Sequence, residues 1–246
     1  MFWTPYPRDV VQVSGSDAAT YLQSQLSQDI RQLSAGDSAW SFLLQPNGKI
    51  DVLLRVARTG EEVFVLDSDA GYGATMVARL NRFKIRVQVE IGELLWRCIA
   101  VRGDGVAAIG TDGLASWGGG VDLLGENPTP PASAEAGTAD DLLSARIDAV
   151  WPAMGSEIKP GETIPGETGI AAAAVNFAKG CYPGQELVER MDSRGAAAPR
   201  LLQRVSVPSG TAVGDAYIVD GISVGVVTSV QGDAALAMVK RGAVPR

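Results

Sequence analysis

The chain has 246 residues, of which 46% are hydrophobic and 20% are charged, a balance typical of a globular protein with one to three cores. It has no histidine and only two cysteines, Cys98 and Cys181, which excludes imidazole-dependent catalytic triads and any metal or iron–sulfur site built on four cysteines. The net charge of −7 comes without a basic cluster, so we expect no direct nucleic-acid binding.

The sequence carries no sign of export or of membrane insertion. No apolar run approaches the roughly 18 residues of a membrane helix. Positions 1–8 contain neither the basic nor the apolar region of a signal peptide. We therefore expect a cytoplasmic protein.

The first third of the chain alternates between strand and helix patterns. Two apolar runs flank Gln45-Pro46-Asn47-Gly48, and Asn-Gly between such runs is a strong hairpin signal. Period-two alternation predicts strands, and apolar residues at helical spacing predict helices. The predicted elements are a strand over 8–14, a helix over 17–30, a hairpin over 40–56, a strand over 62–67 and a helix over 70–82.

The remainder of the chain predicts further strands, one long loop and a β-rich end. A Gly/Pro-punctuated stretch over 155–169 is long for a compact domain, and long ordered loops are often functional. Short strands at regular spacing near the end indicate a small barrel. The predicted elements are strands over 85–91 and 94–101, short and longer helices over 104–110 and 139–150, a surface loop over 126–138, and strands over 201–208, 216–219, 223–230 and 234–240.

One stretch, Lys179-Gly180-Cys181-Tyr182-Pro183-Gly184-Gln185-Glu186, combines a thiol, an ammonium and a helix start. Pro183 suits the first helical position, and Glu186 complements the helix dipole in the first turn. Cys181 would then precede unpaired N–H groups, with Lys179 nearby, and both features favour the reactive thiolate. A half-buried cysteine in a tight turn is the alternative.

The order of motifs resembles the YgfZ-type folate-binding proteins, relatives of the glycine-cleavage T-protein aminomethyltransferase. Lys179–Glu186 is similar to the family's Lys-Gly-Cys-Tyr-x-Gly-Gln-Glu motif, and the resemblance covers nearly the whole chain. The other stretches that carry it are 11–29 (N-terminal strand and helix), Gly48-Lys49-Ile50 (hairpin), Ile164-Pro165-Gly166-Glu167 (loop) and 224–229 (C-terminal barrel).

The resemblance implies an α+β, three-subdomain, clover-like fold around a central hole that holds tetrahydrofolate. It implies a folate-binding region over 1–198, with two α+β subdomains of which the first is discontinuous, and a C-terminal β-barrel domain over 199–246. It also implies a role in assembling or repairing iron–sulfur enzymes, including tRNA-modifying ones, with Cys181 as the functional residue. Folate and iron–sulfur enzymes or assembly proteins are the implied partners.

Comparison with the aminomethyltransferases extends the site. Their Arg-Leu-Glu-Ala-Gly motif, whose glutamate grips the pterin, corresponds here to Arg146-Ile147-Asp148-Ala149-Val150, and their hairpin aspartate pair is reduced to Asp51. The resemblance implies Cys181 as an acting residue, and the adjacency of Lys179 to the thiol predicts an electrostatic role for Lys179. Asp148, Asp51, Arg146, Gln185 and Glu186 are the implied folate-binding residues.

Each assignment has a plainer alternative. Asp51 is as compatible with a solvated position as with a ligand role. For Asp148 the alternative to the pterin role, which the resemblance favours, is a side chain that only faces water. Gln185 is compatible with closing a turn, and Lys179 with a solvated side chain. If these residues form a folate site, we expect the Cys181 thiol to open onto a pterin-sized hole whose far wall presents an acid. The competing function is that of a folate-dependent aminomethyl or one-carbon transferase that uses Asp51, and a third is a thiol-based interaction module.

Overall fold

The computed structural model of the protein describes residues 1–109, 114–193 and 198–243. Within these ranges the strands are β1 (Phe2–Pro5), β2 (Arg8–Ser14), β3 (Ser38–Leu44), β4 (Ile50–Arg58), β5 (Val63–Asp69), β6 (Glu90–Leu94), β7 (Arg97–Arg102), β8 (Val121–Gly125), β9 (Glu135–Ala136), β10 (Arg200–Ser206), β11 (Ala216–Val219), β12 (Ile222–Gln231) and β13 (Ala234–Lys240). The helices are α1 (Ala18–Gln25), α2 (Gly73–Arg82), α3 (Ala139–Asp148), α4 (Ala171–Ala174) and α5 (Gln185–Ser193). None of these helices has the length and hydropathy of a bilayer span.

The largest sheet has five strands in the order β3-β4-β5-β2-β6. The predicted hairpin is confirmed: Gly48 adopts a left-handed φ of 82°, and its N–H donates to the Gln45 carbonyl at 2.8 Å. Both faces of the sheet are covered, because Val52 and Leu54 pack with α1 and α2 while Leu53 packs with the region after α3. This burial explains the nearly continuous apolar runs of β3 and β4.

The second sheet, β8-β7-β1-β9, takes its strands from separate parts of the chain. β1 pairs antiparallel with β7 and parallel with the two-residue strand β9, which lies inside the predicted surface loop. The third sheet, β10-β13-β12-β11, is antiparallel and forms the C-terminal region, with β10 and β11 at its edges. Among the described residues no pairing between those two edges closes a barrel, and residues 244–246 of the predicted C-terminal domain lie outside the description.

Several predicted boundaries were wrong. α1 ends at Gln25 instead of position 30, because the following chain turns extended and Ser27 N–H donates to the Phe42 carbonyl of β3. The strand predicted over 85–91 begins only at Glu90, since Arg86 sits in the left-handed region at φ 55°. The predicted helix over 104–110 is a 3-10 turn at Val106–Ile109, and positions 110–113 lie outside the described residues.

A buried ion network joins the first two sheets. Arg55 on β4 donates to both carboxylate oxygens of Asp67 on β5, at 2.9 and 3.0 Å, and also to Asp122 on β8, at 2.9 Å. Arg8 on β2 donates to Asp67 at 2.6 Å and also to Asp69. Burial alone would raise the pKa of Asp67, but Arg55 and Arg8 outweigh it and hold that pKa below its ordinary value.

Arg102 completes the network on β7. Its Nη2 lies 2.8 Å from Asp122 Oδ1, and its guanidinium stacks 3.9 Å from the centre of the Trp117 ring. Three arginines and three aspartates are therefore gathered at one junction with balanced charge. Removing one member leaves an uncompensated buried charge, which is strongly destabilising.

We expect Asp67→Asn to lower the free energy of unfolding by about 3–5 kcal/mol at neutral pH, because two buried arginines lose their shared counter-charge. The loss should shrink in acid, since a carboxylate with a depressed folded pKa contributes above its ordinary pKa of about 3.9 and ceases to contribute as the pH falls below it. Urea unfolding across pH measures both effects.

The exposed Asp104→Asn is the matched control, with an expected change within about 0.5 kcal/mol. A loss below about 1 kcal/mol for Asp67→Asn would contradict the structural role given to the network.

Candidate functional site

A cleft of 310 Å³ lies where the first two sheets meet α3. Its volume is at the lower end of the range of about 300–1,000 Å³ usual for small-molecule sites. Its walls are mostly apolar, with a few polar groups contributed by the edge of the ion network. The lining includes Tyr6, Asp69, Trp117, Leu142, Arg146 and Met154.

Tyr6, Asp69 and Trp117 form the polar corner of the cleft. The Tyr6 hydroxyl lies 3.4 Å from Asp69 Oδ1 and accepts from the Trp117 indole N–H at 3.3 Å. Asp69 Oδ2 accepts from the Met154 backbone N–H at 2.9 Å, and the Asp69 side chain is 20% exposed. Burial raises the pKa of Tyr6, so its hydroxyl keeps its proton at neutral pH. The corner therefore presents one partly accessible acidic side chain, Asp69, beside an aromatic surface.

Arg146 links the cleft to the C-terminal sheet. Its guanidinium donates to Glu157 Oε2 at 2.8 Å and to Ser229 Oγ at 2.5 Å. Ser229 in turn donates to Glu157 Oε1 at 2.6 Å, so the three side chains close a ring across α3, the following loop and β12. Glu157 is buried, and Arg146 is its counter-charge.

Cys181 lies in a loop that is fixed on both sides while its side chain stays exposed. Gln185 closes the turn: its Oε1 accepts from the Tyr182 N–H at 2.9 Å, and its Nε2 lies 3.9 Å from the thiol sulfur. The helix begins at Gln185, two residues later than predicted, because Gly184 takes a left-handed φ of 83°. A Cβ at Gly184 would lie 2.5 Å from the Gln45 carbonyl, so the hairpin requires glycine there.

Lys179 is buried and points to the end of α1. Its Nζ donates to the carbonyls of Gln23, Leu26 and Gln28 at 2.7, 2.5 and 3.1 Å. Burial lowers the pKa of Lys179 to about 8. Among the described residues no hydrogen bond joins its Nζ to the Cys181 sulfur.

The remaining predicted residues fall in two places. Asp51 accepts from Gln45 Nε2 at 2.7 Å and lies 3.4 Å from Arg79, so it belongs to the hairpin against which the Cys181 loop packs. Glu186 is exposed in the first turn of α5. Asp148 is 66% exposed and pairs with Arg204 of β10 at 2.9 Å.

The structure thus brings Cys181, Lys179, Gln185, Glu186 and Asp51 to one region and Arg146 to the cleft. Neither Cys181 nor Asp148 lines this cleft, and the expectation that the two face one pterin-sized hole stays a prediction. The acid of the cleft is Asp69, which sequence reasoning missed together with Tyr6 and Trp117. The sequence signal that could have indicated Asp69 is the pair of aspartates in Asp67-Ser68-Asp69, at the end of an apolar strand.

Comparison with solved structures supports the predicted fold. The solved structure of the glycine cleavage system aminomethyltransferase T from Bartonella henselae matches with a TM-score of 0.70 and 19% identity, covering 97% of this chain and 78% of that one. The likeness confirms the predicted aminomethyltransferase-like α+β fold. No protein-family model matches the chain.

Sequence relatives include iron–sulfur assembly factors. The chain is 24% identical over 246 residues to the mitochondrial iron-sulfur cluster assembly factor IBA57 homolog of Cryptococcus neoformans, covering 82% of this chain and 65% of that protein. It is 27% identical over 226 residues to human mitochondrial iron-sulfur cluster assembly factor IBA57, covering 79% and 63%. An uncharacterised Haemophilus influenzae protein is 28% identical over 196 residues, covering 76% and 67%.

The chain spans slightly less than two thirds of the length of these two assembly factors. Their names support the predicted connection with iron–sulfur assembly. Assignment to the YgfZ-type branch stays a prediction.

Burial of Lys179 gives a pH test of this region. Because its pKa is about 8 in the folded protein and about 10.4 in an unfolded chain, the unfolded state binds more protons between these values. The contribution of Lys179 to the free energy of unfolding should therefore rise as the pH increases from about 8 to about 10.4. Urea unfolding of wild type and Lys179→Met gives this contribution by difference, which cancels the other titrating groups. A difference that stays constant over this range would contradict the lowered pKa.

Proposed function

We propose that the protein is an accessory factor for the assembly or repair of iron–sulfur enzymes, including tRNA-modifying ones, that acts through the Cys181 thiol and a reduced folate bound in the cleft. The observation that carries the proposal is an exposed cysteine on a rigid loop of an aminomethyltransferase-like fold. The names of the sequence relatives supply the process. A cytoplasmic location stays a prediction.

The lining of the cleft fits the ring portion of tetrahydrofolate. A pterin is flat and carries an amino group and ring N–H groups along one edge, which suits a carboxylate that accepts two hydrogen bonds. Asp69 offers one oxygen of such a carboxylate, because Oδ2 has a second lone pair beside the Met154 N–H, whereas Oδ1 already accepts from Arg8 and from the Tyr6 hydroxyl. Leu142 and Met154 provide apolar contact, and Trp117 provides aromatic contact.

The chain's own residues would orient the bound ring and leave the rest of the folate toward solvent. Asp69 is held in place by Arg8 and by the Met154 N–H, so it needs no rearrangement to accept hydrogen bonds. Arg146 also lines the cleft, with its guanidinium paired to Glu157. Reduced folate contributes one-carbon chemistry when bound.

Cys181 is the group that meets a partner. The thiolate is the form that attacks electrophiles and binds iron, and an exposed loop gives a folded protein access to it. We treat the cluster or its iron as cargo of the partner enzyme or assembly protein. Because Cys181 does not line the cleft, the bound folate stabilises the fold around the loop and does not contact the sulfur.

A folate-dependent aminomethyltransferase is the second candidate, and the fold similarity favours it. Asp51, the residue on which that reaction would depend, lies outside the lining of the cleft and is engaged by Gln45 and Arg79. Release of methylene-tetrahydrofolate from an aminomethylated carrier protein, abolished by Asp51→Asn, would establish the transferase in place of the accessory factor.

We expect Asp69→Asn to weaken tetrahydrofolate binding by about 10- to 100-fold, since the charge-assisted hydrogen bond that the pterin donates to the carboxylate is replaced by a weaker one to an amide oxygen. Asp148→Asn is the matched control and should bind as wild type, because Asp148 is exposed outside the cleft. Isothermal titration calorimetry measures both affinities. Absence of binding by the wild type would remove folate from the proposal, and a loss confined to Asp148→Asn would place the pterin elsewhere.

We expect Cys181→Ser to keep the wild-type affinity for tetrahydrofolate and to lose support of iron–sulfur enzyme activity in cells that lack the native protein. Cys98→Ala is the matched control, since Cys98 is buried and burial raises its pKa to about 12, which keeps it a thiol. Full activity in the Cys181→Ser strain would refute the thiol's role.

A further inference from the structure

The ammonium of Lys179 closes a helix end that has no cation of its own. α1 carries no basic residue in its last turn; of the three carbonyls that accept from Lys179, that of Gln23 lies in this turn, and those of Leu26 and Gln28 lie in the segment that follows it. The negative end of a helix is stabilised by a nearby positive charge. Lys179 supplies this charge from 151 to 156 positions away along the chain.

All three N–H groups of an ammonium are used by this contact. An ammonium has three donors, and three carbonyls accept from Nζ within 3.1 Å. The ammonium is also 5.1 Å from the centre of the Tyr182 ring. No donor is left to face the thiol, so proximity in sequence does not translate into a hydrogen bond to the sulfur.

Neighbouring contacts tie the same two segments together. Ser27 Oγ donates to the Ala174 carbonyl at 2.6 Å, and the Asn176 N–H donates to the Ser27 carbonyl at 3.0 Å. On the far side of the thiol, Tyr182 is buried and bonded to Gln185. Cys181 is therefore held between two anchors, and exposed Gly180 is the link between the sulfur-bearing residue and Lys179.

We infer that Lys179 is a positioning residue for Cys181: its ammonium fastens the thiol-bearing loop to the C-terminal end of α1 and so fixes where the sulfur is presented to a partner. The functional meaning of this inference rests on the proposed function, in which Cys181 is the acting group. The fastening itself is a property of the loop, and it is measured without any iron–sulfur enzyme.

The test compares Lys179→Met and Lys179→Arg in the full chain by amide hydrogen exchange at pH 7. Lys179→Met removes the charge and all three donors, and we expect exchange of the segments 173–185 and 23–28 to accelerate at least about tenfold, with β12 and β13 unchanged. Lys179→Arg keeps a charged donor and should restore much of the protection. Lys240→Met, at an exposed position, is the matched control and should leave both segments as in wild type.

Alkylation of Cys181 separates positioning from electrostatic activation. We expect the pH profile of alkylation to keep its midpoint in Lys179→Met, because the three ammonium donors bind carbonyls and none binds the sulfur. Unchanged exchange in a folded Lys179→Met would overturn the inference, as would a midpoint displaced to higher pH and restored by arginine. If Lys179→Met does not fold, amide exchange is measured on Lys179→Gln instead. Its neutral amide has one donor fewer than the ammonium, so its loop must still exchange faster than that of the wild type.

Failure of the proposed function gives a different pattern. If Cys181→Ser supports iron–sulfur enzymes normally while Lys179→Met still loosens the loop, the fastening stands and the role of the thiol is lost. If the loop is unaffected while Cys181→Ser is inactive, the proposed function stands and Lys179 is not the positioning residue.

Discussion

The junction of the first two sheets depends on a charge balance in which Arg8, Arg55 and Arg102 face Asp67, Asp69 and Asp122. Such groups are expensive to bury, and their mutual attraction repays the desolvation only when the geometry satisfies most of them. The network therefore fixes the relative placement of the sheets more strictly than apolar packing would. The partly exposed Asp69 at its edge is what gives the neighbouring cleft a polar corner.

One apolar cluster connects this corner with the thiol loop. Trp117 and Met154 belong both to the cleft lining and to the cluster, and Tyr182, which anchors the Cys181 loop, belongs to the same cluster. Protein interiors are close-packed, so a ligand that stiffens one side of such a cluster restricts the other side as well. This packing offers a physical route by which folate in the cleft supports the loop without touching the sulfur.

Local signals in the sequence were sufficient for the hairpin at Gln45–Lys49 and for α3, whose Thr138 cap and Asp141 form a capping box. Local signals did not predict features that depend on contacts between segments distant in sequence. The early end of α1 depends on pairing with β3, and the orientation of Lys179 depends on carbonyls more than 150 positions away. Adjacency of Lys179 and Cys181 in sequence indicated an electrostatic pair, whereas in the structure the ammonium donates to three backbone carbonyls.

The placement of Asp148 follows from helix geometry that the sequence already contained. With 3.6 residues per turn, positions 142, 143 and 146 lie within about 100° of each other on α3, whereas position 148 lies about 200° beyond Arg146. A helix that turns Leu142, Leu143 and Arg146 toward the cleft must therefore turn Asp148 away from it. There Asp148 meets Arg204 of the C-terminal sheet, while Ile147 packs against that sheet's Leu236. On the cleft side of the helix, Arg146 donates to Ser229. The polar contacts of Arg146 and Asp148 and the apolar contact of Ile147 thus hold α3 between the cleft and the C-terminal sheet.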